Sequence, residues 1–147
     1  MRIFEVEERT PLLCEQLTEV WEKSVRATHL FLSDREIKEI RKDVPAAING
    51  VAHLIVAENG DRAPAAFMGI EEQTLEMLFL TPEERGNGLG KRLMAYGIER
   101  YGVRRLTVNE QNPQAKGFYE HMGFQVCRRT DRDEQGRAYP LLYMRLA

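Results

Sequence analysis

Apolar residues recur along the chain at two alternating periods, and the switches between them mark out the elements. Arg2 to Val6 alternates polar and apolar side chains, as a half-buried first strand does. Thr10 and Pro11 then supply an N-cap and an N1 proline. Leu13, Leu17, Val20, Trp21 and Val25 follow at helical spacing, and the helix is expected to end near Ala27. Ser33 and Glu36 form a capping box for a second helix, with Ile37, Ile40, Val44 and Ile48 on its inner side and Gly50 beyond its end. Pro45 inside that stretch predicts a break or kink. Val51 to Glu58 is an apolar run rich in β-branched residues that ends at Asn59-Gly60, a hairpin signal. Ala65 to Ile70 returns as the next strand, and Glu71 to Gln73 turn into Thr74 to Leu80, which completes an antiparallel meander.

The third strand of the meander runs into Thr81-Pro82-Glu83-Glu84-Arg85-Gly86-Asn87-Gly88-Leu89-Gly90, and helical periodicity resumes from Lys91 to Tyr101. Strand, glycine-rich curl and helix start together describe an anion cradle. Successive backbone N–H groups converge on a phosphate at the positive end of the helix, with no Cβ in the way. Arg85, Lys91 and Arg92 add fixed positive charge. The spacing excludes a Walker loop, because Arg85 stands where its first glycine belongs and Arg92 where its Ser or Thr belongs. It excludes a dinucleotide fingerprint as well, since Lys91 and Leu93 occupy the two possible places for the third glycine.

Leu106 to Asn109 is the next strand, parallel to its predecessor by the right-handed crossover rule. Asn112 and Pro113 open a short helix that Gly123 closes, about two and a half turns long. Ala115, Phe118, Tyr119 and Met122 share its inner face. Phe124 to Thr130 and Tyr139 to Leu146 form a final hairpin.

Hydrophobic and charged residues make up 43% and 30% of the chain, proportions that suit a globular protein, and 147 residues suit one domain over 1–147. A formal charge of −2, from 21 basic and 23 acidic residues, excludes long-range attraction to nucleic acid or anionic membrane, so anion binding must be local. No run reaches the roughly 20 apolar residues that span a bilayer. Cys14 and Cys127 are too distant for a zinc knuckle, and two cysteines without a leader pattern suit a reducing cytoplasm.

Arg85, Gly88 and Gly90, followed by Asn112, Ala115, Phe118, Tyr119, Gly123 and Phe124, carry a resemblance to the GNAT superfamily of acetyl-CoA-dependent N-acetyltransferases. It covers essentially the whole chain. Ser24 to Leu32, Val108 to Asn112 and Tyr139 to Leu142 look most like a bacterial subgroup acting on lysines or small amines. The resemblance implies an α/β (α+β) fold: a mixed, largely antiparallel seven-stranded sheet with helices on both faces, splayed between strands 4 and 5. It implies that the backbone of Leu78, Phe79 and Leu80 pairs with the pantetheine arm of acetyl-CoA. The N–H groups of Gly86, Asn87, Gly88, Leu89 and Gly90, with Arg85, would hold the pyrophosphate, and Asn112 would fix the arm from the other side. Tyr119 matches the general acid.

The chemistry needs such parts. An amine that attacks a thioester carbonyl places negative charge first on oxygen, where an N–H near Phe79 stabilises it, and then on sulfur, where a phenol supplies a proton. An alkyl amine is largely protonated at neutral pH, so a base or water chain must free it; Glu76, Glu110 and His29 are the candidates. His29, Phe31 and Tyr139 are candidates for lining the acceptor pocket. Direct transfer in a ternary complex is expected, because neither cysteine falls in these motifs, and neither metal nor nucleic acid is expected. The oligomeric state is left as monomer or homodimer. A non-catalytic acyl-CoA-binding or sensing module is the alternative.

Overall fold

In the computed structural model, which describes residues 1–147, seven strands build one sheet. They are β1 (Arg2–Glu5), β2 (His53–Glu58), β3 (Pro64–Glu71), β4 (Thr74–Leu80), β5 (Arg105–Asn109), β6 (Phe124–Thr130) and β7 (Leu141–Leu146). The helices are α1 (Pro11–Thr28), α2 (Asp34–Arg41), α3 (Val44–Gly50), α4 (Leu89–Tyr101) and α5 (Pro113–His121). The strand order is β1-β2-β3-β4-β5-β7-β6, with every pair antiparallel except β4 and β5.

The helix ends follow the side chains that cap them. Thr10 Oγ1 accepts from the Leu13 N–H at 3.1 Å, and Pro11 needs no donor in the first turn. Ser33 and Glu36 close a complete capping box, with bonds of 3.1 and 3.0 Å. The expected break falls between α2 and α3, where Pro45 sits in the first turn of a new helix.

Two turns differ from the sequence expectation. Asn59 does not open a two-residue hairpin. Its Oδ1 accepts from the N–H groups of Asp61 and Ala63 at 2.9 and 3.2 Å, which stabilises a longer loop with Arg62 at φ 60°. The tight turn is instead between β3 and β4, where Glu72 and Gln73 take φ of 45° and 66°, the left-handed pair that fits the twist of a hairpin.

β2 is buried on both faces. Leu54 and Val56 pack with α1, α2 and α3 and with Phe67, whereas Ile55 and Ala57 pack with α4, α5 and Met68. The sheet is thus sandwiched between two helical layers, as its unbroken apolar run requires.

Two irregularities shape the middle of the sheet. The β3–β4 register jumps from Gly69↔Met77 to Ile70↔Leu75, so Glu76 is the extra residue of a β-bulge. β4 and β5 pair only at Thr74↔Arg105 and Leu75↔Leu106 and then diverge, leaving a cleft between Leu80 and Asn109.

Candidate active site

The cleft holds two cavities that share a wall. The larger, about 650 Å³, lies at the start of α4 and is bordered by Leu78, Leu80, Glu84 to Gly86, Gly88 to Lys91, Phe118 and His121. The smaller, about 240 Å³, lies where β4 and β5 part and includes His29, Glu76, Met77, Phe79, Asn109, Asn112 and Leu141. Ser24, Leu78, Ala115 and Tyr119 belong to both.

The larger cavity has the parts that could hold a phosphate. Gly86 and Gly88 have φ of 78° and 86°, which only glycine adopts without strain, and a Cβ on either would meet nothing within 4 Å. The first α4 bond runs from Arg92 N–H to Gly88 carbonyl at 3.1 Å, so the amides of Gly90 and Lys91 lack intrahelical acceptors and point out of the helix start. Asn87 shapes the loop, since its Nδ2 donates to Glu84 and its Oδ1 receives the Leu89 N–H. Arg85 is exposed and lightly tethered, with Nη1 3.5 Å from Gln114 Oε1, which leaves its charge available. Gly90 serves packing instead. A Cβ there would lie 3.5 Å from the Phe118 ring, so its bareness eases the approach of α5.

Tyr119 sits at the shared wall, carried on α5. Asn112 fixes that helix, its Oδ1 accepting from the Ala115 N–H at 3.3 Å, and its side chain also borders the smaller cavity. The Tyr119 ring meets Phe118 and Phe124 with centroids 5.3 and 6.3 Å away. Its hydroxyl makes no hydrogen bond within the chain. Because no sealed side-chain polar atom lacks a partner, that hydroxyl opens onto the cleft. Burial pushes the phenol above its ordinary pKa, so it stays protonated.

The three base candidates separate. Glu76, on the bulge, borders the smaller cavity, and its pKa is raised, first by burial and then by the nearby charges of Glu134 and Glu71. His29 borders the same cavity; burial, helped by the charge of Arg85, pushes its pKa down to about 4, so the imidazole is neutral. Its Nδ1 lies 2.7 Å from Thr28 Oγ1. Glu110 is outside both cavities. Arg129 grips its carboxylate through Nε at 2.6 Å and Nη2 at 3.1 Å and lowers its pKa, which makes it a poor proton acceptor.

Of the expected acceptor-lining residues, His29 alone reaches the cavity. Phe31 stacks between His29 and Tyr139, with centroids 5.3 and 5.4 Å away, and the Tyr139 hydroxyl donates to Glu36. Phe31 and Tyr139 therefore bind the corner between α1 and α2 to the start of β7 and support the pocket from behind. Glu36 caps its helix with one oxygen and holds Tyr139 with the other.

Sequence reasoning gave Ser24 no role beyond its place in the Ser24 to Leu32 corner, read His121 as a helix-surface residue although it borders the larger cavity, and missed the bulge. Ser24 carried a signal: it continues the buried stripe of α1 through Leu17, Val20 and Trp21, where an apolar residue is expected. The bulge left none, because register is a property of strand pairs.

A family model described as an acetyltransferase (GNAT) domain matches residues 17–146, and the chain belongs to that family. It is an acetyltransferase, which moves an acetyl group from acetyl-CoA to an amine. The chain is 39% identical over 132 residues to peptidyl-lysine N-acetyltransferase YjaB of Salmonella typhimurium, a match that covers 87% of this chain and 88% of that protein. The solution structure of apo YjaB from Escherichia coli superposes with a TM-score of 0.88 at 35% identity, over 100% of this chain and 99% of that one. At 23% identity, the PaiA N-acetyltransferase of Thermoplasma acidophilum, solved with coenzyme A, shares the fold with a TM-score of 0.72 over 99% of both chains. No helix is long and apolar enough to cross a membrane, and no group of metal-ligating side chains is present.

Proposed function

We propose that the chain acetylates the side-chain amine of lysine in proteins or peptides, acting in the cytoplasm as one domain spanning residues 1–147. The carrying observation is the meeting of two cavities at Tyr119, one bordered by the glycine loop and the start of α4 and one of about 240 Å³ bordered by Glu76 and His29. The names of the relatives that match 87% of the chain support lysine over other amines.

In this reading the amides from Gly86 to Lys91, with Arg85, hold the pyrophosphate of acetyl-CoA, while the edge of Leu78 to Leu80 that faces away from β3 takes the pantetheine arm where β5 has pulled away. Asn112 steadies the arm from the other side. Glu76, directly or through water, removes a proton from the lysine ammonium; its raised pKa makes it a stronger base than an ordinary carboxylate. The amine lone pair forms the C–N bond and the carbonyl π pair moves onto oxygen. An N–H near Phe79 stabilises that charge. When the carbonyl reforms, the C–S bond breaks, its electron pair goes to sulfur, and the Tyr119 phenol gives sulfur its proton. Nitrogen gives up two protons in all: the ammonium proton, which Glu76 passes on to water as the net H+ released, and a second lost from the tetrahedral adduct, which balances the one that Tyr119 gives to sulfur. No enzyme-bound acetyl group is needed.

Release of free thiol from acetyl-CoA, measured across lysine peptides, free lysine, polyamines and aminoglycosides, tests the proposal. It predicts turnover with lysine peptides above all others, with the acetyl group on Nζ by mass spectrometry. Binding of acetyl-CoA without turnover on any amine would instead identify a sensing module.

A further inference from the structure

Two hydroxyls open onto the wall shared by the cavities, and the transfer chemistry above uses only that of Tyr119. The other is on Ser24, on the opposite face of the sheet and 5% exposed. A serine or threonine inside a helix ordinarily turns its hydroxyl back onto the carbonyl four residues earlier. α1 contains two that do so: Thr18 Oγ1 donates to Cys14 at 2.8 Å and Thr28 Oγ1 donates to Ser24 at 2.9 Å. Ser24 departs from that habit. Its hydroxyl bonds no group of the chain, and since no sealed polar side-chain atom is without a partner, it faces the cleft. A buried hydroxyl left unpaired by its own helix is costly unless something else meets it.

We propose that Ser24 is a catalytic residue whose hydroxyl donates a hydrogen bond to the thioester carbonyl oxygen as that oxygen gains charge. This rests on the acetyl-transfer reading above. Two charges develop in turn, on oxygen and on sulfur, and donors approach from the two faces of the sheet. A serine hydroxyl is a weak acid but a sound hydrogen-bond donor, so it suits the oxygen, which needs only a donor. The phenol, the stronger acid, suits the sulfur, which must take a proton. Ser24 thus assists the β4 backbone amide, and no bond to Ser24 is made or broken.

The test compares wild type with S24A, S24T and S24C, measuring kcat and KM with a lysine peptide, acetyl-CoA affinity by calorimetry, and Tm. Wild-type turnover is established first; its absence would overturn the acetyl-transfer reading itself. Loss of one oxyanion donor commonly lowers kcat by about 10²- to 10³-fold, and with a backbone amide sharing the role a fall of about 30- to 100-fold is expected for S24A. Acetyl-CoA affinity should stay within about threefold, because the bond strengthens only in the transition state. S24C keeps the volume but donates weakly and should resemble S24A, whereas S24T should recover most of the rate. A kcat within about threefold of wild type for S24A and S24C would overturn the assignment. So would losses that merely follow cofactor affinity or Tm, or S24T no faster than S24A.

Discussion

Tyr119→Phe separates catalysis from packing more sharply than any other single change. The substitution removes one oxygen atom and keeps the ring against Phe118 and Phe124. Because the hydroxyl bonds nothing in the chain and faces the cleft, its removal orphans no partner, and stability should change by no more than about 0.5 kcal/mol. That corresponds to about 1–2 °C in Tm for a domain of this size. A positioned general acid contributes about 10²- to 10⁴-fold, so kcat should fall by at least a hundredfold, or about 3 kcal/mol in barrier height. Acetyl-CoA affinity should hold, since the phosphate cradle is untouched. The assay is thiol release under saturating lysine peptide, paired with calorimetry and thermal unfolding of the same preparation. A kcat within threefold of wild type, or a Tm loss of many degrees, would refute the assignment, the latter by showing that the hydroxyl holds the fold.

Four further outcomes follow from the geometry. Gly88→Ala forces a side chain into φ 86°, at a cost of about 1–2 kcal/mol, and should weaken acetyl-CoA binding roughly tenfold by calorimetry while leaving the fold intact. Glu76→Gln should abolish the acid limb of the kcat/KM profile. A base must be deprotonated to act, so in wild type activity rises with pH through a pKa above the ordinary carboxylate value; Glu110→Gln, which borders neither cavity and is held by Arg129, should leave the profile unchanged. His29, depressed in the folded state from 6.5 to about 4, makes the unfolded chain bind more protons between those values, so stability is lost as pH falls across that window. The loss is roughly 3 kcal/mol. His29→Asn should flatten that slope in urea unfolding, and an unchanged slope would contradict it. Gly69→Ala would bring a Cβ to 2.6 Å from Met77 Cε, and because the methionine end is flexible the expected effect is a displaced cavity wall and a raised peptide KM, with at most about 1 kcal/mol of destabilisation.

How much was legible beforehand depends on how local each cause is. The caps at Thr10, Ser33 and Asn112, the stop before Pro45 and the glycines of the cradle all act within a few residues, and each is readable from neighbours in sequence. The hairpin at Asn59 misled because Asn-Gly signals two turn types, and the Asn side chain chose the longer one through bonds to Asp61 and Ala63. Glu110 misled for a different reason. Its place just beyond β5 suggested a cleft residue, but the arrival of Arg129 from β6 across the sheet claims its carboxylate, and no pattern near residue 110 announces that partner. Tyr139 and Phe31 were assigned to the lining of the pocket but pack against each other outside it, because the distinction between facing a cavity and backing it depends on side-chain direction. Ser24 was readable as an anomaly in the α1 stripe, though only the cleft gives the anomaly a purpose.

Acetyl transfer by this chain requires acetyl-CoA to enter between β4 and β5 with its pyrophosphate at the head of α4. The most direct measurement is a titration of the ¹⁵N-labelled chain with acetyl-CoA, followed by amide shifts. The prediction is saturable binding with the largest changes at Gly86 to Lys91, a second group at Leu78 to Leu80, and little movement along β1 or β6. Absence of binding, or shifts centred away from the α4 start while those amides stay still, would contradict it.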